Sequence, residues 1–382
     1  MKNAKEYEFI ILCSNAFLEK EEKRRIKELL SGQLDWRIVI KVATKHRVVN
    51  LMYYNLCQLG LEHEINSKFL LMMRKIYHKA DENNKMLRQE AVVISNELSK
   101  AGVNHAALKG IVLSSCVYPE FPIRTSSDID FLIHISSKEK VMKVMKKCGF
   151  VQGEYEPESK KIKKFSREQM IFHQMSTHEL LPFIKVIDKS VIIVDFNYTF
   201  IWKENCPFEI DMQEFLKHTI TIDTPEGKIC TLDLYRFMIH LSFHFYRECT
   251  FLNDIWAKKD MQLYKFADFC AVFEKYKDSI DWDGMLDLVE KMKIEKIIYF
   301  AFYYVNILNP HVIPSDILEK LEPSDTDYLN EYGEESGCVS QWKMEFPERL
   351  FNEDRVLELN RDIINDENNF FNTQEILKKT AN

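Results

Sequence analysis

Three aspartates have spacings that suit the binding of a divalent cation. Asp128 and Asp130 are separated by one residue, and Asp195 follows further along the chain. Residues i and i+2 of a β-strand point to the same face, so the first two carboxylates would lie side by side if they belong to a strand. Mg²⁺ binds one or two protein carboxylates together with water and substrate phosphates. Two such ions can activate an attacking oxygen and stabilise a leaving pyrophosphate.

Strictly alternating apolar patterns predict the two strands that carry these aspartates. Residues 128–135 alternate, which predicts a half-buried strand with Asp128 and Asp130 on its open face. Residues 191–200 alternate in the same way, so Asp195 is expected on a strand whose opposite face is packed. The predicted packed faces comprise Ile129, Phe131, Ile133 and Ile135 on the first strand, and Ile192, Val194, Phe196, Tyr198 and Phe200 on the second.

A Lys-Gly pair upstream of the aspartates has the composition of a phosphate-binding turn. Lys109 and Gly110 stand between a short apolar strand and a predicted helix at about 111–117. The N–H groups and the positive end of a helix N-terminus attract phosphate, and the side chains of Lys109 and Arg124 would balance its charge. We therefore predict that Lys109, Gly110, Arg124 and Ser127 bind the polyphosphate part of a ligand.

The rest of the chain predicts helices around a small sheet. Apolar residues recur every three or four positions over 1–100, with a long helix from about Ser67 to Lys100, and helical patterning returns from about 209. We predict an α+β fold with an N-terminal helical region over 1–100, a core over 101–205, a C-terminal helical domain over 206–325 and an acidic tail over 326–382.

Composition narrows the class of protein. The net charge of −7 over 382 residues argues against a general nucleic-acid binder. Nine scattered cysteines without a Cys-x-x-Cys pair indicate free thiols in a reducing compartment. The opening MKNAKEYEFI lacks the apolar stretch of a secretory signal, and the apolar run at 297–308 is too short to span a bilayer. We expect a cytoplasmic protein without a membrane partner.

These motifs resemble a known family. The run LKGIVLSSCVYPEFPIRTSSDIDFLIH (108–134) is similar to the signature of the uncharacterised nucleotidyltransferase family NTP_transf_5, within the polymerase-β-like superfamily. In that signature Leu-Lys-Gly is followed by Tyr-Pro, Arg and two Asp separated by one apolar residue. The resemblance extends over about 35–300 through three helical stretches, at 35–56, 238–248 and 263–273.

The resemblance implies a function and roles for the aspartates. The fold would be a polymerase-β-like core, a small mixed sheet with helices, between helical regions. It would move an NMP from an NTP such as ATP to an acceptor and release pyrophosphate. Asp128 and Asp130 would hold two Mg²⁺ ions, with Mn²⁺ as an alternative, and Asp195 would hold one of them and take the acceptor's proton. The acceptor could be a small molecule, a peptide, a protein or an RNA end.

Two departures from the pattern favour alternatives. Ile111 follows Gly110 where the superfamily often has serine, so Ser114 or Ser115 would have to supply a hydroxyl; and Asn197 stands where the family often has histidine. A catalytically inactive nucleotide- or partner-binding module therefore remains an alternative. An RNA-modifying toxin is a third hypothesis, which the negative net charge disfavours.

Four histidines have open roles. His240 and His244 stand four residues apart on a predicted helix, where they could bind zinc, line the substrate site or pack in the core. His173 and His178, with the neighbouring Glu179, lie between the two carboxylate strands, where a general base or an exposed hairpin are both consistent with the pattern.

Overall fold

The fold is described from a computed structural model of the chain. It describes residues 3–176, 178–187, 190–202, 207–310, 312–337 and 339–359. The helices are α1 (Ala4–Leu12), α2 (Lys20–Ser31), α3 (Trp36–Lys45), α4 (Val49–Gln58), α5 (Ser67–Lys100), α6 (Lys109–Cys116), α7 (Lys138–Lys147), α8 (Arg167–Ser176), α9 (Met212–Phe215), α10 (Leu234–Thr250), α11 (Leu252–Trp256), α12 (Leu263–Tyr276), α13 (Trp282–Met292), α14 (Glu295–Leu308), α15 (Ser315–Leu321) and α16 (Phe346–Phe351). The strands are β1 (His105–Leu108), β2 (Ile129–Ile133), β3 (Val151–Gln152), β4 (Glu154–Glu156), β5 (Lys161–Lys163), β6 (Phe183–Ile187), β7 (Ser190–Asn197), β8 (Thr219–Thr224), β9 (Gly227–Leu232), β10 (Glu331–Tyr332) and β11 (Ser340–Gln341).

The chain divides into two compact units. The first, which we call the sheet unit, comprises Tyr53–Trp202 and Phe208–His240. The second, the helical unit, comprises the described residues of Met1–Met52, Lys203–Pro207 and Leu241–Asn382. The predicted mixture of helices and a mixed sheet is therefore present, as an α+β fold.

The sheet unit is built on seven strands in the order β3-β6-β7-β2-β1-β9-β8. The central strand β2 is antiparallel to β1 and parallel to β7, and β1 is parallel to β9. The outer pairs β6–β7, β3–β6 and β8–β9 are antiparallel. This arrangement places β2 between the end of β1 that leads into α6 and the strand that carries Asp195.

Helix α5 covers the sheet over a long distance, as its apolar periodicity predicts. Asn66 caps its start by accepting a hydrogen bond from the N–H of Lys68, and Gly102 ends it with a φ of +64° that glycine adopts without strain. Its buried face packs on β1 and β9. The predicted bounds of this helix, Ser67 to Lys100, are confirmed.

The structure differs from the sequence prediction in the extent of the strands. All five residues of β2 are buried, so the prediction of a half-buried strand is wrong for β2, since both of its faces are covered. Ile135 lies beyond the strand and is exposed, and Tyr198 and Phe200 follow the end of β7. The helical patterning predicted from about 209 also overlooked β8 and β9, so the sheet continues past residue 205, the predicted end of the core.

The helical unit has its own core. The rings of Phe245 on α10 and Phe266 on α12 meet at 5.2 Å, and Phe273 on α12 packs on Phe302 of α14 at 5.1 Å. Residues expected to form an acidic tail are folded here as far as Leu359, and the buried Arg355 donates through Nε to Asp260 at 2.8 Å. Residues 360–382 of that predicted tail lie outside the described residues.

Cysteines and apolar segments complete the description of the fold. The cysteines in the described ranges are free thiols, while Cys206 and Cys338 lie outside those ranges. Across the part of the chain that the structure describes, no helix has the length and apolar character needed to cross a membrane.

Candidate active site

The predicted aspartates lie at one point of the central sheet. β2 and β7 are parallel neighbours whose register pairs Asp130 with Asp195, and Asp128 stands two residues earlier, at the entry to β2. One step along the register, the rings of Phe131 and Phe196 stack at 5.5 Å. Successive strand residues point to opposite faces, so the two paired carboxylates share the face opposite the aromatic rings. The predicted assignment of residues to the two faces is therefore correct at these positions.

Lys109 brings a positive charge to these carboxylates. The register of β1 with β2 places Leu108 opposite Asp130, so the next residue begins α6 beside that carboxylate. The Nζ of Lys109 lies 2.9 Å from Oδ1 of Asp130, in a salt bridge that is mostly shielded from solvent. Lys109 has a φ of +51°, a left-handed conformation that costs a non-glycine residue about 1–2 kcal/mol. Strain of this kind concentrates at functional sites.

Two asparagines in the middle of α5 hold the loop that leads into β2. The buried Asn84 donates through Nδ2 to the carbonyls of Phe121 (2.7 Å) and Arg124 (2.8 Å), and its Oδ1 accepts from the N–H of Ser126 at 3.2 Å. Asn83 donates through Nδ2 to the carbonyl of Ser126 at 2.8 Å. These bonds fix the backbone of the loop against the long helix.

Gly110, the second residue of α6, packs directly against this loop. A Cβ added to Gly110 would lie 2.3 Å from Ser126 Oγ and 3.2 Å from Ser126 Cβ, so a larger residue would displace Ser126. Leu108 at the N-cap position gives no side-chain hydrogen bond to the first turn of α6. A helix start without a side-chain cap presents N–H groups and the positive end of the helix dipole to an anion.

Burial, together with neighbouring negative charge, raises the pKa of Asp195 to about 7. Burial of the carboxyl is the largest cause, followed by the charges of Asp130, Asp128 and Glu179, whereas the charge of Lys109 opposes the rise. Glu179 lies beside β7 through an antiparallel bridge to Asn197. A carboxyl with such a pKa can accept a proton near neutral pH.

The donor chemistry of the site fits a hard divalent cation. Carboxylate oxygens from two neighbouring strands are the ligands that Mg²⁺ prefers, and their mutual repulsion favours a bound cation. Within the described ranges, however, no group of three or more His, Cys, Asp or Glu side chains is already arranged to hold a metal ion. The ammonium of Lys109 instead lies against Asp130, so a cation and Lys109 would compete for this carboxylate.

Two further residues predicted to bind phosphate belong to the loop that contacts Gly110 through Ser126. Ser127 is exposed and Arg124 is half-buried, with its Nη1 donating to the carbonyl of the next residue. Ser114 and Ser115, the predicted substitutes for a hydroxyl after Gly110, both donate to the carbonyl of Ile111 inside α6, at 3.2 and 2.6 Å. Their hydroxyls therefore serve the helix.

The four histidines contact protein groups. His173 Nε2 donates to the Glu179 carbonyl at 3.1 Å, and His244 Nε2 lies 3.2 Å from Glu248 Oε2. The His178 ring packs on Tyr198 and the buried His240 ring on Phe200, with ring centroids 6.2 and 5.8 Å apart. His240 and His244 belong to no metal-holding cluster among the residues that the structure describes. The structure therefore gives no support to a zinc site at this pair.

The sequence analysis missed Asn83, Asn84 and Ser126. Asparagine is disfavoured in helix interiors because its side chain competes for backbone hydrogen bonds. Two adjacent asparagines in the middle of a 34-residue helix were therefore a signal for a polar contact. Ser126 gave no such signal, because its contact with Gly110 exists only once the loop is folded.

One family model matches most of the chain. A family model described as an uncharacterised nucleotidyltransferase matches residues 32–310. The chain belongs to this family. The match includes all three aspartates and confirms the family predicted from the sequence, and membership indicates a transferase of nucleotidyl groups in general. No curated protein and no solved structure matches the chain.

Proposed function

We propose that this nucleotidyltransferase is Mg²⁺-dependent and has a polymerase-β-like core, and that it moves an NMP from an NTP to an acceptor with release of pyrophosphate. The observation that carries the proposal is the register of Asp130 with Asp195 on neighbouring parallel strands, with Asp128 two residues upstream. A cluster of carboxylates beside an uncapped helix start suits a metal-bound triphosphate.

The phosphates would lie at the start of α6. Gly110 lets the loop at Ser126 approach the first turn of α6 closely, and Lys109 supplies a positive charge at the same turn. Arg124 and Ser127, on the loop that Asn84 holds, add a second cation and an exposed hydroxyl. When phosphates arrive, the Lys109 ammonium exchanges part of its interaction with Asp130 for phosphate oxygens.

The three carboxylates would bind the metal and accept the proton. Asp128, Asp130 and Asp195 would hold Mg²⁺, which supplies Lewis-acid stabilisation of the leaving pyrophosphate. Asp195 also accepts the proton of the acceptor hydroxyl. The acceptor is a small molecule, a peptide, a protein side chain or an RNA end.

Two observations favour a second candidate, an inactive module that binds a nucleotide or a partner. Ile111 provides no hydroxyl after Gly110, and the described residues hold no ready-made cluster for a metal. Such a module would need no Mg²⁺ to bind its ligand.

Calorimetric titration of the four NTPs, with and without Mg²⁺, tests the proposal. We expect the wild-type protein to bind at least one NTP more tightly with Mg²⁺, and Asp128→Asn/Asp130→Asn to lose that dependence. A Phe131→Leu variant, altered on the opposite face of β2, serves as the control and should bind like the wild type. Equal binding with and without Mg²⁺ in both the wild type and the double variant would favour the inactive module.

A further inference from the structure

We infer that Ser126 supplies the hydroxyl that holds a phosphate group at the start of α6. The inference rests on the proposed function, because it assigns one more contact within the proposed nucleotide site, beside Gly110 and Lys109. It concerns a residue outside the Lys-Gly pair and outside the Asp-Ile-Asp segment.

Ser126 is buried, with 7% of its surface exposed, yet its Oγ has no hydrogen-bond partner among the described residues. Its other polar groups are bonded: the N–H donates to Asn84 Oδ1 and the carbonyl accepts from Asn83 Nδ2. A buried hydroxyl without a partner costs about 1–3 kcal/mol. The asparagines fix the backbone of Ser126 and leave its hydroxyl as the group still to be satisfied.

The surroundings of this hydroxyl determine what it can bind. Ser126 Oγ lies against Gly110, at 2.3 Å from the position that a Cβ would take. The first turn of α6 contributes N–H groups that the N-cap side chain does not bond. Lys109, whose side chain carries an ammonium group, is the first residue of the same helix. The hydroxyl therefore lies beside the first turn of α6, which offers backbone N–H groups and begins with a lysine. An anion with several oxygens, such as a phosphate group, satisfies all of them.

The two nearby serines cannot take this role without breaking their own bonds. Ser114 and Ser115 donate to the Ile111 carbonyl within α6. Gly110 and Ser126 also depend on each other, because a side chain at Gly110 would displace the Ser126 hydroxyl. The chain thus places a hydroxyl from the loop beside the helix start, where Ile111 offers none.

Calorimetry with two probes tests the assignment. Mg²⁺–ATP and inorganic tripolyphosphate are titrated into the wild type, Ser126→Ala and the control Ser114→Ala, whose hydroxyl is bonded inside α6. We expect Ser126→Ala to weaken both probes about tenfold, as for loss of a hydrogen bond to a charged group, and Ser114→Ala to bind like the wild type. Ser126→Ala should also melt within about 3 °C of the wild type, because the hydroxyl has no partner to lose.

The other outcomes separate this inference from the proposed function. Wild-type binding of ATP that Ser126→Ala leaves unchanged would overturn the inference and leave the proposed function standing. Weakened binding of ATP alone would place the hydroxyl on the nucleoside and overturn the phosphate assignment. No binding of either probe to the wild type would overturn the proposed function and, with it, this inference.

A second experiment tests the geometry through stability alone. Gly110→Ala should lower the melting temperature, because the new Cβ meets Ser126 Oγ at 2.3 Å. Adding Ser126→Gly removes the Oγ and Cβ and leaves the Ser126 Cα at 3.7 Å, an ordinary contact. Introducing Gly110→Ala into the Ser126→Gly background should therefore cost much less stability than introducing it into the wild type. The affinity of the double variant for tripolyphosphate should stay low. Equal losses in both backgrounds would overturn the inference.

Discussion

The two faces of the β2–β7 strand pair have different roles. On one face Phe131 and Phe196 stack and are fully buried. On the other face Asp130 and Asp195 stand in the same register, with the pKa of Asp195 raised and a strained Lys109 alongside. A step of one residue along a strand exchanges its faces, so neighbouring residues of these strands contribute separately to stability and to chemistry.

The largest effect on stability is expected on the aromatic face. Phe131→Ala should reduce the free energy of unfolding by about 3–5 kcal/mol, because it leaves a cavity beside Phe196 in a fully buried layer. Phe131→Leu, which preserves more of the volume, should cost about 1.5 kcal/mol or less. Urea unfolding of the two variants measures both values. A loss below about 1 kcal/mol for Phe131→Ala would break the comparison between the faces.

The next effect belongs to the carboxylate face and has the opposite sign. The pKa of Asp195 is raised from an ordinary 3.8 to about 7, so the folded protein binds this proton more tightly than the unfolded chain does. The resulting stability is fully present below about pH 4 and is lost as the pH rises through about 7. Asp195→Asn should therefore be more stable than the wild type by about 1–3 kcal/mol at pH 8, with little difference at pH 4.

Metal sharpens that prediction. A divalent cation that binds the carboxylates replaces the proton on Asp195, so added Mg²⁺ should flatten the fall in wild-type stability between pH 5 and pH 8. Thermal melts across this range, with Mg²⁺ or with EDTA, measure the change. If Asp195→Asn and the wild type show the same pH dependence without metal, Asp195 does not have the raised pKa.

A smaller effect is expected where the loop meets α5. Asn84→Ala removes three hydrogen bonds to the loop backbone and should cost about 1–3 kcal/mol. Asn83→Ala, the matched control, removes one bond of a half-buried residue and should cost about 1 kcal/mol or less. Equal unfolding free energies of the two variants would show that Asn84 does not hold the loop as described.

The smallest difference in stability is expected between two variants of Lys109. Lys109→Gly and Lys109→Met both lose the ion pair with Asp130, which is mostly shielded from solvent. Only Lys109→Gly relieves the left-handed backbone conformation, so urea unfolding should show it to be the more stable of the two by about 1–2 kcal/mol. Binding of Mg²⁺–ATP should weaken about tenfold in both variants, as for loss of one charged contact.

Local pattern was sufficient to predict much of the sheet unit. The alternation around Asp130 and Asp195 identified β2, β7 and their faces because side chains alternate with period two. The bounds of α5 followed from apolar spacing and from Ala101-Gly102 at its end. The prediction missed β8 and β9 although Thr-Ile-Thr-Ile-Asp-Thr alternates polar and apolar residues and is followed by Pro-Glu-Gly, a pattern typical of a hairpin.

Pairing between distant segments could not be obtained in this way. The sequence predicts that Asp130 and Asp195 lie on strands, but their alignment depends on which strands pair and in what register. The salt bridge of Lys109 with Asp130 and the contact of Ser126 with Gly110 depend on the same pairing. The burial of both faces of β2 depends on how helices cover the sheet, which strand periodicity does not encode.

Binding of Mn²⁺ followed by electron paramagnetic resonance, with a saturating non-hydrolysable ATP analogue, tests the central claim most directly. The account predicts Mn²⁺ binding that Asp130→Asn and Asp195→Asn each weaken at least about tenfold, that Mg²⁺ displaces, and that Phe131→Leu leaves unchanged. Binding of Mn²⁺ to an Asp130→Asn/Asp195→Asn double variant as tight as to the wild type would contradict a metal-dependent nucleotide site on the carboxylate face of β2 and β7.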